Sequence, residues 1–399
     1  MNTVKLTPKE DILAAVKQFR PSQGGEITPE QLRSLLGTTH VAGRYALTEE
    51  PYLVEGARAV HERLGYRNLK LWFHNPAKLY PWHSAWDLPE GYTLAQLAAH
   101  PYYRAAFAFP FHSITLEVYF TQKGQQQPRP RGWMIPPDLD FTREEKEICD
   151  LGVYLLETYR DREVTFILQN WEGDWMIREF PGAEWTDPAK RPADCDRRVE
   201  TFIRWAQARQ AGVDCARARV PDSKCRLLHA VEVNRVFDAL QGAPTVVSHV
   251  LPHVDIDLVA WSAYDGMNRG PEGTGDASSC GTWQGFDIIQ HYAHTREHDA
   301  QGRPQVMIGE FGLSEMTRPP GHDLDDILEG ALAAGLARGC PLMHYWELYC
   351  NEPEDGSLKD CPLERNLRED ELHGLWLIKP DGSLGIAGRY FAGLLGRPS

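Results

Sequence analysis

The sequence lacks most of the signatures by which an enzyme's chemistry is read directly from its chain. Its eight cysteines form no CxxC pair, so neither a zinc ribbon nor a thioredoxin-like redox site finds support. There is no HExxH and no HxH on a first strand, and no GxSxG nucleophile elbow. No glycine-rich phosphate loop or dinucleotide fingerprint occurs between a strand and a helix, which argues against the doubly wound nucleotide folds, and no cofactor is expected. No run approaches 18 apolar residues, which excludes a membrane-spanning helix. The first residues, MNTVKLTPKEDILAAVKQF, have neither a continuous apolar core nor a small-residue cleavage site, so a cytoplasmic location is the expectation.

Positive charge is also short. Lys and Arg number 42 against 56 Asp and Glu, a formal net charge of -14. Such a surface repels phosphate backbones and anionic lipid, so neither nucleic acid nor membrane is an expected partner, whereas a neutral sugar is compatible with it. Oligomeric assembly is left open. The cysteines read as reduced, partly buried thiols. The one bridge kept open, Cys350–Cys361, would close the loop after the last strand.

What is present is a long alternation of short apolar runs and amphipathic helices, the pattern of an α/β protein. Residues 1–40 stand apart as a short N-terminal helical extension, with helix starts at 7–13 and 28–33 and Pro29 at a first helical position. Residues 41–399 read as one unit. Strands are expected over 45–48, 68–73, 113–120, 164–170, 226–233, 257–264, 305–309 and 341–346, with an elaborated loop at 75–112 and an irregular excursion at 125–137. A strand–turn pair at 375–384 and a helix at 386–395 close the chain. Eight strands, each followed by a helix or a long connection, fit a closed (β/α)8 TIM barrel better than an open sheet with two edges.

Barrel enzymes build their sites from the C-terminal ends of the strands. Here those ends carry GlnAsnTrpGlu at 169–172, HisAlaValGluValAsnArg at 229–235, TrpSerAlaTyrAsp at 261–265, IleGlyGluPheGly at 308–312 and HisTyrTrpGlu at 344–347. Glu310 follows a strongly apolar strand between Gly309 and Gly312; the bland alternative is a solvated residue or one paired with Arg318. A two-residue period puts Asn170 with Glu172, and Glu232 with Asn234, on common faces if the strands stay extended. Two carboxylates suit glycosidic cleavage, one protonated to donate to the leaving oxygen and one ionised to attack the anomeric carbon. Trp72, Trp171, Trp175 and Trp346 offer faces for a pyranose ring, although packing under the loops accounts for tryptophans equally well.

These residues resemble the large clan of retaining (β/α)8 glycoside hydrolases that includes cellulase-, mannanase- and β-xylosidase-like families. The match covers roughly 160–350. ValMetIleGlyGluPheGly at 306–312 is similar to the clan's nucleophile strand and implies Glu310 as nucleophile. AsnTrpGlu at 170–172 is similar to its acid/base motif and implies Glu172 as acid/base, with Asn170 touching the sugar's 2-hydroxyl. Trp171 stands where the clan has Asn directly before that Glu, so Glu232 with Asn234 remains the substitute. The resemblance further implies Tyr264 as a support of the nucleophile and Trp346 as a sugar platform; Trp72 and His229 complete the expected substrate contacts. A retaining glycosidase is therefore expected, with action from chain ends on oligosaccharides or glycosides as one reading. The rivals are a non-catalytic carbohydrate-binding barrel and a metal-dependent hydrolase centred on His229 and His344.

Overall fold

The computed structural model describes residues 3–119, 135–136, 138–179, 182–267, 273–358 and 365–397. Eight short strands run parallel and close on themselves: β1 (Leu36–His40), β2 (Asn68–Trp72), β3 (Ser113–Glu117), β4 (Thr165–Gln169), β5 (Arg226–Val233), β6 (Leu258–Ser262), β7 (Val306–Phe311) and β8 (Met343–Tyr345). Each pairs with its successor, and β8 pairs with β1, so the expected TIM barrel is the observed fold.

One strand differs from expectation. β1 is Leu36–His40, not the run at 45–48. Its sequence, LeuGlyThrThrHis, hides it, because Thr38 and Thr39 are polar yet fully buried. The 45–48 run instead turns back on itself: the amides of Leu47 and Thr48 donate to the Glu55 carboxylate at 2.9 and 3.2 Å. The barrel therefore begins inside the segment read as an extension. The helices of that segment are as expected. Thr28 and Gln31 form a reciprocal capping box at Pro29–Leu35. Buried Arg20 ties the segment to the barrel through Asp276, Asp326 and Glu329 at 3.2, 2.5 and 2.8 Å.

The barrel interior is divided. On one side Ile167, Leu228, Ala230, Leu258, Ala260, Met307 and Leu342, all from β4–β8 or their immediate ends, form an apolar cluster separate from the main core. On the other side the fill is polar. Ser113 Oγ donates to Asn68 Oδ1 at 2.9 Å, and Thr115 Oγ1 lies 3.0 Å from His344 Nε2. Gly37 leaves room for that histidine, since a Cβ there would sit 2.5 Å from His344 Nδ1. The main apolar core lies between the strands and the surrounding helices.

The thiol expectation needs correction. Cys149 and Cys215 form a disulfide, Cα–Cα 5.6 Å, between the helices Phe141–Thr158 and Cys195–Arg219. These helices pack side by side on either chain flank of β4, which no spacing rule reveals because the two cysteines are 66 residues apart. Cys195, Cys225, Cys280, Cys340 and Cys350 are free, and Cys361 lies outside the described residues, as does most of the 125–137 excursion. The expected final strand pair is a tight turn closed by an Ile378–Leu384 bridge, ahead of the helix Ile386–Leu394. Among the described residues no helix is long and apolar enough to cross a membrane.

Candidate active site

A cavity of about 1000 Å³ opens at the C-terminal ends of the strands. Of the residues singled out in the sequence, Trp72, Trp171, Glu172, Asn234, Tyr264, Glu310 and Trp346 line it. Asn170, Glu232 and His229 do not.

Glu310 reaches this cavity through an irregularity of β7. Trp261 pairs with Ile308 but the next residue, Ser262, pairs with Glu310, so β7 carries one extra residue; the same step separates Ile308–Met343 from Phe311–Tyr345. Such a bulge re-aims a side chain that strict alternation would send to the other face. Gly309 points inward, where a Cβ would lie 2.4 Å from Glu232 Oε2, and Glu310 is turned inward too. Gly312 has a similar reason to be glycine, because a Cβ there would meet the Trp346 carbonyl at 2.4 Å.

The cation beside Glu310 is Lys70, not Arg318. Fully buried on β2, Lys70 Nζ donates to Glu310 Oε1 at 2.8 Å and to the Gly309 carbonyl at 3.3 Å. It also stands 3.3 Å from Glu232 and 3.4 Å from Glu117. Tyr264 Oη donates to Glu310 Oε2 over a long 3.4 Å. Burial pushes the Glu310 carboxyl up to about 7, with Lys70 pulling down and Glu232 pushing up. Burial also raises Glu172 well above the carboxylic-acid range, reinforced by the negative charges of Glu310 and Glu232. Glu117 is raised as well, first by burial, against the pull of Lys70. Desolvation and like charge thus set several carboxyls around one ammonium, an arrangement that splits them into protonated and ionised members.

The loop after β4 is held by β5. Asn170 spends its whole amide on backbone: Oδ1 accepts from Glu232 N at 3.0 Å, and Nδ2 donates to the carbonyls of Glu232 and Trp171 at 3.1 and 2.9 Å. Asp174 continues the clamp by accepting from the amides of Asn234, Arg235 and Val246 at 3.1, 3.1 and 2.9 Å. Gly173 allows the close approach, since its Cβ would lie 2.6 Å from the Glu232 carbonyl. β4 ends at Gln169 and the chain turns, so Asn170 braces β5 while Trp171 and Glu172 face the cavity.

Glu232 also lies off the cavity lining. It is fully buried beneath the cavity, its carboxylate accepting from Gln169 Nε2, Ser262 Oγ and Lys70 Nζ at 2.5, 3.0 and 3.3 Å. Both of its oxygens are thus held by protein donors beneath the cavity rather than facing it. His229 points the opposite way, toward the helix layer, with Nδ1 3.3 Å from Gln210 Oε1. His344 is inside the barrel on Thr115, so the two histidines proposed for a metal lie on opposite faces of the wall. No group of three or more His, Cys, Asp or Glu among the described residues could hold a metal ion.

The aromatic walls are placed at two ends. Trp72 and Trp346 sit 6.1 Å apart at 43°. Trp175, in the helix Gly173–Arg178, is backed by the guanidinium groups of Arg178 and Arg235 at 5.7 and 5.5 Å. Lys70 and Glu117 escaped the sequence reading, although the alternation of AsnLeuLysLeuTrp and SerIleThrLeuGlu puts Lys70 on the face of Trp72 and carries Glu117 inward beside it.

Fold and site together define a (β/α)8 barrel with buried carboxylates and tryptophans at its mouth, and the chain is similar in fold to several solved structures. It superposes on an exo-β-1,4-mannosidase from Opitutaceae bacterium strain TAV5 with TM-score 0.53 and 13% identity, over 91% of this chain and 59% of that one. A GH5_18 glycoside hydrolase from Bifidobacterium longum subsp. infantis gives 0.53 and 14%, over 91% and 79%. A variant of the B. longum subsp. longum ATCC 55813 protein, in complex with Manβ1-4GlcNAc, gives 0.54 and 12%, over 91% and 78%. At such identities the likeness is one of fold, and this chain spans less than two thirds of the mannosidase's length. No protein family matches the sequence, and no curated protein does.

Proposed function

We propose that the protein is a glycoside hydrolase that cleaves with retention, Glu310 being the nucleophile and Glu172 the acid/base. The observation that carries this reading is the convergence of two carboxyls on one tryptophan-lined cavity, one of them held by Lys70 and Tyr264 and the other pushed upward by burial and like charge, the direction a proton donor needs. In the first step Glu310 attacks the anomeric carbon as the bond to the leaving oxygen breaks, and Glu172 delivers its proton to that oxygen. In the second, Glu172, now a carboxylate, takes a proton from water as the water oxygen displaces Glu310 from the glycosyl ester. Tyr264 and Lys70 orient the attacking carboxylate; Trp346 and Trp72 support the sugar, and Trp175, beyond Glu172, suits the leaving group. The Trp72–Trp346 wall supports release of sugar from a chain end. The substrate is a carbohydrate, and the exo-β-1,4-mannosidase among the structural neighbours makes β-mannosides the first probes.

The test is turnover of a panel of 4-nitrophenyl β-glycosides (mannoside, glucoside, galactoside, xyloside) by the wild type and by Glu310→Ala and Glu172→Ala. Both variants should lose activity, and azide should rescue Glu310→Ala with a glycosyl azide of inverted anomeric configuration. Undiminished turnover in either variant overturns its assignment, and a wild type that binds sugar without turnover returns the protein to a binding barrel.

A further inference from the structure

The closed strand order divides the cavity. β4, which leads to Glu172, and β7, which carries Glu310, separate the ring into β5 and β6 on one side and β8, β1, β2 and β3 on the other. Trp72 and Trp346 wall the larger side, where the reading above places the glycosyl unit. The loops after β4 and β5 bring Trp175, Asn234 and Arg235 to the wall of the other side. Glu172 gives its proton to the leaving oxygen, so the group cut from the sugar falls on this second side.

Asn234, the first residue after β5, is only 4% exposed, yet it lines the cavity. Its Oδ1 accepts from the Asp174 amide at 2.9 Å, and its own backbone amide donates to Asp174 Oδ2 at 3.1 Å. A backbone N–H can only donate, so this bond fixes which end of the side-chain amide is the oxygen. Nδ2 is left without a hydrogen bond among the described residues. It is not one of the unpaired atoms sealed inside the protein, so its two N–H groups are open to the cavity. Polar groups of a buried side chain are almost always paired, which makes this amide a donor waiting for an acceptor. Asn170, by contrast, spends both ends of its amide on backbone. The surroundings of Asn234 are fixed as well: Arg235 Nε and Nη2 grip Asp238 at 3.0 and 2.9 Å, and its guanidinium lies 5.5 Å from the Trp175 ring. A rigid donor beside an aromatic wall suits a ligand rich in hydroxyl oxygens. A hydrocarbon or aryl group would cover Nδ2 without pairing it, which is unfavourable.

We propose that the leaving group is itself a sugar, one hydroxyl oxygen of which accepts a hydrogen bond from Asn234 Nδ2, so that the substrates are oligosaccharides rather than aryl or alkyl glycosides. This rests on the glycosidase reading above. The experiment takes the glycosyl unit turned over fastest in the 4-nitrophenyl panel and measures kcat/KM for its methyl glycoside and for its 1,3-, 1,4- and 1,6-linked disaccharides with glucose and with mannose. Methanol and a sugar hydroxyl both leave as poorly stabilised alkoxides that need the proton of Glu172, so the disaccharide-to-methyl ratio reports the second sugar. In the wild type that ratio should reach about a hundredfold for at least one disaccharide, from the aromatic wall and the hydrogen bond together. Asn234→Ala should cut it about tenfold. Asn234→Asp keeps the oxygen that the Asp174 amide needs and loses the donor, so it should cut the ratio to a similar extent; its added charge acts on Glu172 with every substrate and cancels in the ratio. A wild-type methyl glycoside within about threefold of every disaccharide overturns the proposal, and this arm decides if neither variant folds. Variants that slow methyl glycoside and disaccharides equally, or an Asp variant with the wild-type ratio, reduce Asn234 to a brace for Asp174 and overturn its role. An active Glu310→Ala, by contrast, sinks the underlying reading, whatever Asn234 does.

Discussion

Replacing Lys70 by methionine keeps most of the side-chain volume and removes the charge around which the floor of the cavity is built. Lys70 Nζ lies 2.8 Å from Glu310, a separation worth about 6 kcal/mol at an effective dielectric near 20. Only part of this appears as a pKa change, because desolvation of the ammonium opposes it; a third, about 2 kcal/mol, still moves a carboxyl by roughly 1.5 units. In the wild type Glu310 stands at about 7. With Lys70 gone, the Glu232 carboxylate acts on it unopposed as a like charge and pushes it further up. Attack requires the carboxylate, so activity falls as pH drops through this value. The acid limb of kcat/KM for the best aryl glycoside should therefore move upward by one to two units in Lys70→Met. At pH 7 the rate should drop about five- to fiftyfold, and part of the loss should be recovered near pH 9. Lys70→Arg, which keeps the charge, serves as the control for folding. An acid limb that stays put, or a loss that is the same at every pH, refutes the electrostatic account and leaves Lys70 as a packing residue.

The same value carries a stability prediction. A carboxyl raised from 4.5 to about 7 on folding stabilises the native state relative to a non-titrating residue below pH 4.5, and this advantage is lost as pH rises toward 7. Against Glu310→Gln, the wild type should lose up to about 3 kcal/mol between pH 4.5 and 7.5 by denaturant titration. The comparison must be with the variant, because His40, His74, His229 and His344 are held neutral by burial and favour the opposite trend. Parallel curves for the two proteins refute it. Gly309→Ala puts a Cβ 2.4 Å from Glu232 Oε2. It should destabilise the fold by about 1–3 kcal/mol and lower kcat more than it changes KM, since Glu232 and Lys70 must shift; wild-type melting and kinetics would show that the glycine is incidental.

Much of this could be read from the chain because the barrel's wall is apolar where strands face helices. Val164–Asn170 and Arg226–Val233 stand out as strands for that reason. β1 does not, because Gly37 and Thr39 face a crowded polar interior and, with Thr38 buried between them on the other face, look like a loop. Glu310 was legible from the apolar run before it. That it faces inward was not, since the bulge breaks the period on which facing is judged. The place of Asn170 was hidden for a related reason: β4 stops one residue earlier than extension of the run implies, and its amide braces β5. His229 was recoverable, because it lies three residues before Glu232 and so on the other face of β5. Lys70 and Glu117 were equally recoverable as lone charges in the middle or at the end of apolar strands. Their meaning depends on which strands meet across the barrel, and that is a property of closure, not of any one segment.

The extra residue in β7 has a bearing on how much chemistry one ring of strands can hold. A regular strand delivers one side chain per two residues to the barrel axis, so eight of them fill each tier with a limited set of groups. By letting Gly309 and Glu310 both turn inward, β7 supplies an empty seat for one carboxylate and a second carboxylate from adjacent positions. A barrel redesigned with an ideal seventh strand would have to choose between them: either the space that Glu232 occupies or the group that Lys70 holds.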